Sequence, residues 1–217
     1  MTISYAVTVC NEFIEIQRLL TFLLQHKRPQ DEIVVQMDLG PSNAMIIDPN
    51  KREVLSYIMK HQEQGHCRVI LHPLNRDFAA FKNHLTEQCV GDYIFQIDAD
   101  EYPHEDLIQS LPEILEANPS VEAYVVPRVN TVEGLTTEHV QKWGWHVNDN
   151  GWVNWPDYQW RIYKNSLSIK WKNKVHERLD GFKTYSMLPA DTEALSLYHP
   201  KTIDRQERQN KLYHTYE

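Results

Sequence analysis

Residues Tyr93-Ile94-Phe95-Gln96-Ile97-Asp98-Ala99-Asp100-Glu101 join an apolar run of strand length to three carboxylates at its end. Carboxylates grouped where a strand stops suit a hard divalent cation, and a metal-bound phosphate is the natural guest of such a group. Asp98 and Asp100 are two apart, so they point the same way in extended chain, and a turn after Ile97 would let them converge on one ion. A solvated acidic loop is the plainer reading of an isolated Asp-x-Asp, but the apolar run before this one favours a site. Other residues able to do chemistry follow similar runs: Thr8, Cys10, Asn11 and Glu12 after the first, and Asp38 after the second.

The elements that must position these groups alternate in the first half, which predicts a parallel sheet covered by helices. Residues 3–9 read as the first strand. Asn11 is placed to cap a helix carrying Phe13, Ile16, Leu20, Leu23 and Leu24 on one face. A second strand, 32–37, ends at Asp38. Turn chemistry at 39–43 leads to a helix over 51–64 that stops at Gly65, and 68–71 is a third strand. Asp77 caps a helix with Phe78, Phe81 and Leu85 on one side, and Gly91 precedes the strand bearing the acidic run. In the second half, 121–129 reads as one strand and 134–157 as an irregular aromatic stretch. A hairpin is expected from 160–164 and 168–179, then a short strand at 194–198 and a polar helix from about 202. One domain is expected, with residues 1–101 binding a nucleotide and 102–217 facing an acceptor.

The 217 residues carry a formal net charge of -8, which disfavours non-specific adhesion to nucleic acid or anionic membrane, although a local basic patch stays compatible with it. Cys10, Cys67 and Cys89 have neither CxxC spacing nor a dense secreted pattern, so reduced thiols in a cytoplasmic setting are expected. No apolar run approaches the ~20 residues that span a bilayer, and no signal peptide is read. In an open parallel sheet the strand carboxyl ends line the ligand crevice, which gathers residues 8–12, Asp38 and Asp98-Ala99-Asp100 on one rim. No GxGxxG or GxxxxGK[ST] occurs, which sets aside Rossmann dinucleotide binding and P-loop phosphoryl transfer.

With these residues in view, the chain resembles the family 2 glycosyltransferases of GT-A fold over about residues 3–200. The likeness is carried by Thr8-Val9-Cys10-Asn11-Glu12, Asp77-Phe78-Ala79-Ala80-Phe81-Lys82-Asn83 and Gly91 to Glu101. The second half is similar to the branch that modifies lipopolysaccharide cores, through Asp157-Tyr158-Gln159-Trp160-Arg161-Ile162-Tyr163, Trp171 and Val175-His176-Glu177. The resemblance implies an α/β fold with a mostly parallel central sheet flanked by helices, and a hairpin in the acceptor half. It further implies that Thr8, Cys10, Glu12 and Asp38 surround the base and ribose of a nucleotide-sugar donor, supported by Lys82 and Asn83. Asp98 would face ribose and metal, Asp100 would bind Mn²⁺ or Mg²⁺, and His199 would be the third protein contact. Lys82 stands where the family often has Arg, and Leu39-Gly40 where it often has a second acidic residue.

Sugar transfer from a nucleoside diphosphate requires neutralised leaving-group charge and a base on the opposite side of the anomeric carbon. Arg161 could add positive charge near the diphosphate or be salt-bridged. Asp157 is the preferred base, Glu177 its rival and Asp149 a weaker third. Strand alternation at 176–177 would send only one of His176 and Glu177 into the cleft. Trp145 and Trp152, beside glycines, are acceptor-binding candidates with His176, although core packing is the commoner role of single tryptophans. The expected activity is metal-dependent, inverting transfer from a donor such as a UDP-sugar to an unidentified hydroxyl acceptor, a modified nucleic-acid base remaining among the options. Sugar-phosphate nucleotidyl transfer and non-catalytic carbohydrate binding are the alternatives.

Overall fold

The computed structural model describes residues 1–40 and 48–213, so most of the turn read at 39–43 lies outside the described residues. Four apolar runs form parallel strands in the order β3-β2-β1-β4: β1 is Ile3–Val9, β2 Glu32–Asp38, β3 Arg68–His72 and β4 Tyr93–Asp98. β1 sits between β2 and β4 and is covered on both faces, so its sequence is nearly continuous in apolar residues rather than alternating.

Helices α1 (Phe13–His26), α2 (Pro49–Glu63) and α3 (Phe78–Gln88) connect these strands. α1 buries Ile16, Leu19, Leu20 and Leu23, a single face at helical spacing. Asp48 and Asp77 cap α2 and α3 by accepting from the backbone N–H of Asn50 and Ala80. Asn11 does not cap α1. The cap position is Glu12, whose carboxylate instead accepts from the backbone N–H of Cys10 and Asn11.

The second half departs from the sequence expectation in four places. A short β5 (Tyr102–Pro103) and α4 (Glu105–Ala117) follow the acidic run; neither was read from the sequence. The single strand expected at 121–129 divides at Pro127, which has no N–H to continue a ladder, into β6 (Ala123–Val126) and β7 (Arg128–Glu133). The stretch expected to be irregular holds α5 (Thr137–Trp143), started by a Thr136–His139 capping box and ended by left-handed Gly144. Finally, β8 (Gln159–Lys164) joins no hairpin. It runs antiparallel between β4 and β6 in the central sheet, and the hairpin is made by β9 (Lys170–Lys172) and β10 (Arg178–Asp180).

β11 (Tyr185–Met187) adds to the outer edge of β6, giving seven strands in the order β11-β6-β8-β4-β1-β2-β3. β12 (Leu197–Thr202), later than the strand expected at 194–198, lies between β5 and β7 in a separate three-stranded sheet and leads into α6 (Ile203–Tyr213). Leu107, Ile108, Leu111 and Leu115 of α4 pack with α1 and α2 on one face of the central sheet; Leu85 of α3 and Trp171 of the hairpin cover the other. No helix among the described residues is long and apolar enough to cross a membrane.

Candidate active site

The carboxyl ends of β1, β2 and β4 open onto a cleft of about 1120 Å³. Register does the placing: Thr8 pairs with Asp98 across β1 and β4, and the Thr8 hydroxyl donates to Asp98 Oδ1 at 2.7 Å. Asp38, at the end of β2, accepts from the backbone N–H of Gly40 and Leu74 and from Lys51 Nζ at 3.1 Å. Burial raises the Asp38 carboxyl, but those donors outweigh it and hold it below the ordinary value. Cys10 faces Asp38 with its sulfur 3.5 Å from Oδ2, and burial pushes the thiol up to about 12, so it is a neutral donor rather than a nucleophile.

Beneath this rim lies a network of buried charges. Glu101 is fully buried; its Oε1 accepts from Arg161 Nη2 at 2.7 Å and Arg128 Nη1 at 2.9 Å, and its Oε2 from Arg161 Nε at 2.9 Å. Arg161 also donates to Asp98 Oδ2 at 3.0 Å, so the salt-bridged alternative for Arg161 is the one realised. A bulge positions it. β6 pairs Tyr124 with Ile162 and Val125 with Trp160, so Arg161 is the extra residue, and Trp160 and Ile162 fall on opposite faces. Lys82 Nζ lies 2.6 Å from Glu177 Oε1 and 3.4 Å from Asp98 Oδ1.

Asp157 and Glu177 both line the cleft. Asp157 Oδ2 accepts from Arg128 Nη2 at 2.6 Å, Arg128 Nε at 2.9 Å and Asn130 Nδ2 at 2.8 Å, and its Oδ1 accepts from Gln159 at 2.7 Å. Burial raises both carboxyls, but their cationic partners, Arg128 and Lys82, hold them below the ordinary range, so both are ionised at neutral pH. Asp149 is exposed and away from the cleft wall.

His199 is opposite Asn130 in the β12–β7 register. Because Asn130 Nδ2 donates to Asp157, its Oδ1 faces His199 Nδ1 at 2.8 Å, and Nδ1 therefore carries the ring proton. Burial lowers His199 despite the Asp100 charge, leaving the ring neutral at pH 7. Nε2 then presents a lone pair to Asp100 Oδ2 only 3.2 Å away. Two acceptors face each other, which is stable only with positive charge between or beside them. In the acid range where Asp100 titrates, a protonated His199, Arg205 and Lys201 hold its carboxyl far below the usual value in spite of burial.

The expected metal triad is not assembled. Among the described residues no group of three or more His, Cys, Asp and Glu side chains is arranged around one ion, because Asp98 is turned to Thr8, Lys82 and Arg161. The remaining pair, Asp100 with the unprotonated His199 Nε2, fits a divalent cation by its donor chemistry, one carboxylate oxygen and one imidazole nitrogen.

Other expected residues are placed as follows. Thr8, Cys10, Glu12, Asp38, Lys82, Asp98, Arg161, Trp145 and His176 line the cleft. Asn83 does not; its amide is bonded to the backbone N and O of Trp171 at 2.8 and 2.9 Å, anchoring β9. Trp152 is also off the cleft, packed edge-on against Trp155 with ring centroids 4.9 Å apart. His176 and Glu177 both reach the cleft, because His176 takes φ 53° in the hairpin loop rather than strand geometry. The sequence reading missed Arg128, Asn130 and Arg205, whose partners lie 27 to 193 positions away.

The glycosyl transferase family 2 profile matches residues 4–191. The chain belongs to glycosyl transferase family 2. No curated protein sequence matches it. Similar solved structures include S. aureus TarS, at 14% identity and TM-score 0.57, covering 97% of this chain and 38% of TarS. They also include the TarS 1-349 fragment with UDP, at 15% identity and TM-score 0.56, covering 92% of this chain and 60% of the fragment. The same fragment with UDP-GlcNAc matches at 16% identity and TM-score 0.56, covering 93% and 59%. This family 2 domain therefore shares the GT-A fold of those neighbours and spans 38% of TarS and 59–60% of its 1-349 fragment.

Proposed function

We propose that this glycosyltransferase transfers a monosaccharide from a UDP-sugar to an acceptor hydroxyl with inversion, assisted by Mn²⁺ or Mg²⁺ held at Asp100 and His199. The observation that carries the reading is the facing pair of Asp100 Oδ2 and His199 Nε2 at 3.2 Å in a cleft whose rim is Thr8, Asp38 and Asp98. The UDP and UDP-GlcNAc complexes of TarS support the donor class. When bound, the cation supplies positive charge to the departing diphosphate.

The chain's own residues do the rest. Asp38, fixed by Lys51 and two backbone N–H groups, and Asp98, fixed by Thr8 and Arg161, present carboxylate oxygens to base and ribose. Asp157 accepts the proton of the acceptor hydroxyl as its oxygen bonds the anomeric carbon and the carbon–phosphate-oxygen bond breaks. Four hydrogen bonds keep Asp157 ionised and aimed. Trp145 and His176 border the acceptor side, and resemblance of 157–163, Trp171 and 175–177 to the lipopolysaccharide-core branch favours a saccharide hydroxyl. Free Cys10, Cys67 and Cys89 suit a cytoplasmic reaction.

A thermal-shift panel of nucleoside diphosphates with and without Mn²⁺ tests this reading. UDP should raise the midpoint only with Mn²⁺, and Asp100→Ala should abolish that response; a panel without any metal-dependent response refutes it. Release of pyrophosphate instead of UDP on turnover would replace it with nucleotidyl transfer.

A further inference from the structure

The deep cations of the cleft already have carboxylate partners: Arg161 with Asp98 and Glu101, Arg128 with Glu101 and Asp157, Lys82 with Asp98 and Glu177, Lys51 with Asp38. Arg161 and Lys82 share Asp98, and Arg161 and Arg128 share Glu101, so moving one of these cations toward a diphosphate loosens a connected network of short pairs. Arg205 is different. It projects from the first turn of α6, its side chain is 24% exposed, and its guanidinium bridges Glu12 and Glu15 at the start of α1 to Asp100 after β4. Nη1 is bonded to Glu15; Nη2 lies 3.4 Å from Glu12 Oε1 and 3.3 Å from Asp100 Oδ2. The two inner contacts are longer than the 2.6–3.0 Å pairs formed by Arg128 and Arg161, so the inner end of the guanidinium is the loosely held end. It brings positive charge to the same Asp100 oxygen that lies 3.2 Å from His199 Nε2.

We propose that Arg205 exchanges partners during the donor cycle: in the empty cleft it stands in for the divalent cation at Asp100, and it moves to the diphosphate oxygens when cation and nucleotide arrive together. This inference rests on the metal-assisted reading above. A guanidinium and a divalent cation cannot both sit on Asp100 Oδ2 without repelling each other, so cation entry pushes Nη2 away. The diphosphate is then the nearest new anion, and a planar fork matches its oxygens. α6 becomes an element that senses whether the donor site is filled.

The test is a pair of binding measurements on the full chain and on Arg205→Gln. They read Mn²⁺ alone, from the loss of the free-ion paramagnetic resonance signal, and UDP at saturating Mn²⁺, by calorimetry. Removal of a competing, partly exposed cation should tighten Mn²⁺ alone by about fivefold, and loss of the diphosphate contact should weaken UDP by about fivefold or more. Opposite signs are the signature, because damage to the site weakens both. Arg205→Lys, which keeps the charge and loses the fork, should bind Mn²⁺ alone like wild type and still weaken UDP. A variant unchanged in both arms, or weakened in both, overturns the exchange while leaving the proposed function standing. Wild-type protein that binds no Mn²⁺ even with UDP refutes the metal reading itself, and the exchange falls with it.

Discussion

Replacing Glu101 by Gln would remove the one negative charge shared by buried Arg161 and half-buried Arg128 and set an amide N–H against an arginine N–H. Glu101 is 0% exposed, receives both Arg161 and Arg128, and also accepts from the Asp98 backbone N–H at 3.3 Å. Breaking a buried ion pair by removing one partner costs about 3–5 kcal/mol. A second route gives a similar size. Burial raises the Glu101 carboxyl, yet Arg161 and then Arg128 outweigh it and bring it from 4.5 to about 2. That lowering is worth about 3 kcal/mol of folding stability. In a chain of this size the variant should therefore melt about 10 °C lower at pH 7. The sign of the pH dependence follows from a depressed folded-state value: the contribution is present above the unfolded value near 4.5 and disappears as pH falls toward 2. Urea unfolding of wild type and Glu101→Gln from pH 7 to pH 3 should show a gap of about 3 kcal/mol that narrows below about pH 4.5. A gap under about 1 kcal/mol at pH 7, or one that acid does not narrow, refutes the reasoning that these charges hold the cleft floor together.

Three further outcomes are expected. Asp157→Asn should lower the rate of UDP release at saturating donor and acceptor by about 100-fold or more, whereas Glu177→Gln, which loosens Lys82, should chiefly weaken donor binding; the reverse pattern moves the base to Glu177. Gly181→Ala should lower the melting midpoint and weaken UDP–Mn²⁺ binding, because a Cβ there meets the Ser168 carbonyl oxygen at 1.8 Å with φ at +86°, displacing the hairpin that holds Glu177; an unshifted midpoint contradicts it. Limited proteolysis within residues 134–157 should slow when UDP and Mn²⁺ are present, since Trp145 lines the cleft, and unchanged cleavage counts against ordering of that stretch.

The first half of the fold was legible because its signals are local. Apolar runs of strand length alternate with helical faces, and the ends of β1, β2 and β4 are marked by Thr8, Asp38 and Asp98, so the rim of the cleft could be read in order. The second half hides its structure in partners distant along the chain. Trp160 to Lys164 reads equally well as one arm of a hairpin and as a central strand, and only the long-range pairing of Ile162 with Phe95 and with Tyr124 decides between them. α4 went unread although its amphipathic face is clear, with Leu107, Ile108, Leu111 and Leu115 buried, because Pro112 sits within it as an apparent breaker with no N–H for the Ile108 carbonyl. α5 is announced by a box in which His139 replaces the usual Glu or Gln, so the ordinary pattern passes over it.

The same distinction governs the site. Types and spacing identified the carboxylates but assigned Asp98 to the cation, when the bulge at Arg161 turns a guanidinium onto it and Thr8 takes its other oxygen. What remains for a cation is decided by Asn130, a residue without charge and without a motif. Its amide reads Asp157 on one side and His199 on the other, so the ionised state of the one fixes the tautomer of the other. The candidate base and the candidate metal ligand are thereby coupled through a single side chain on β7. Chemistry of this kind follows from which strands lie side by side, here β7 with β12, and a linear pattern of residues carries that information only after the sheet has been assembled.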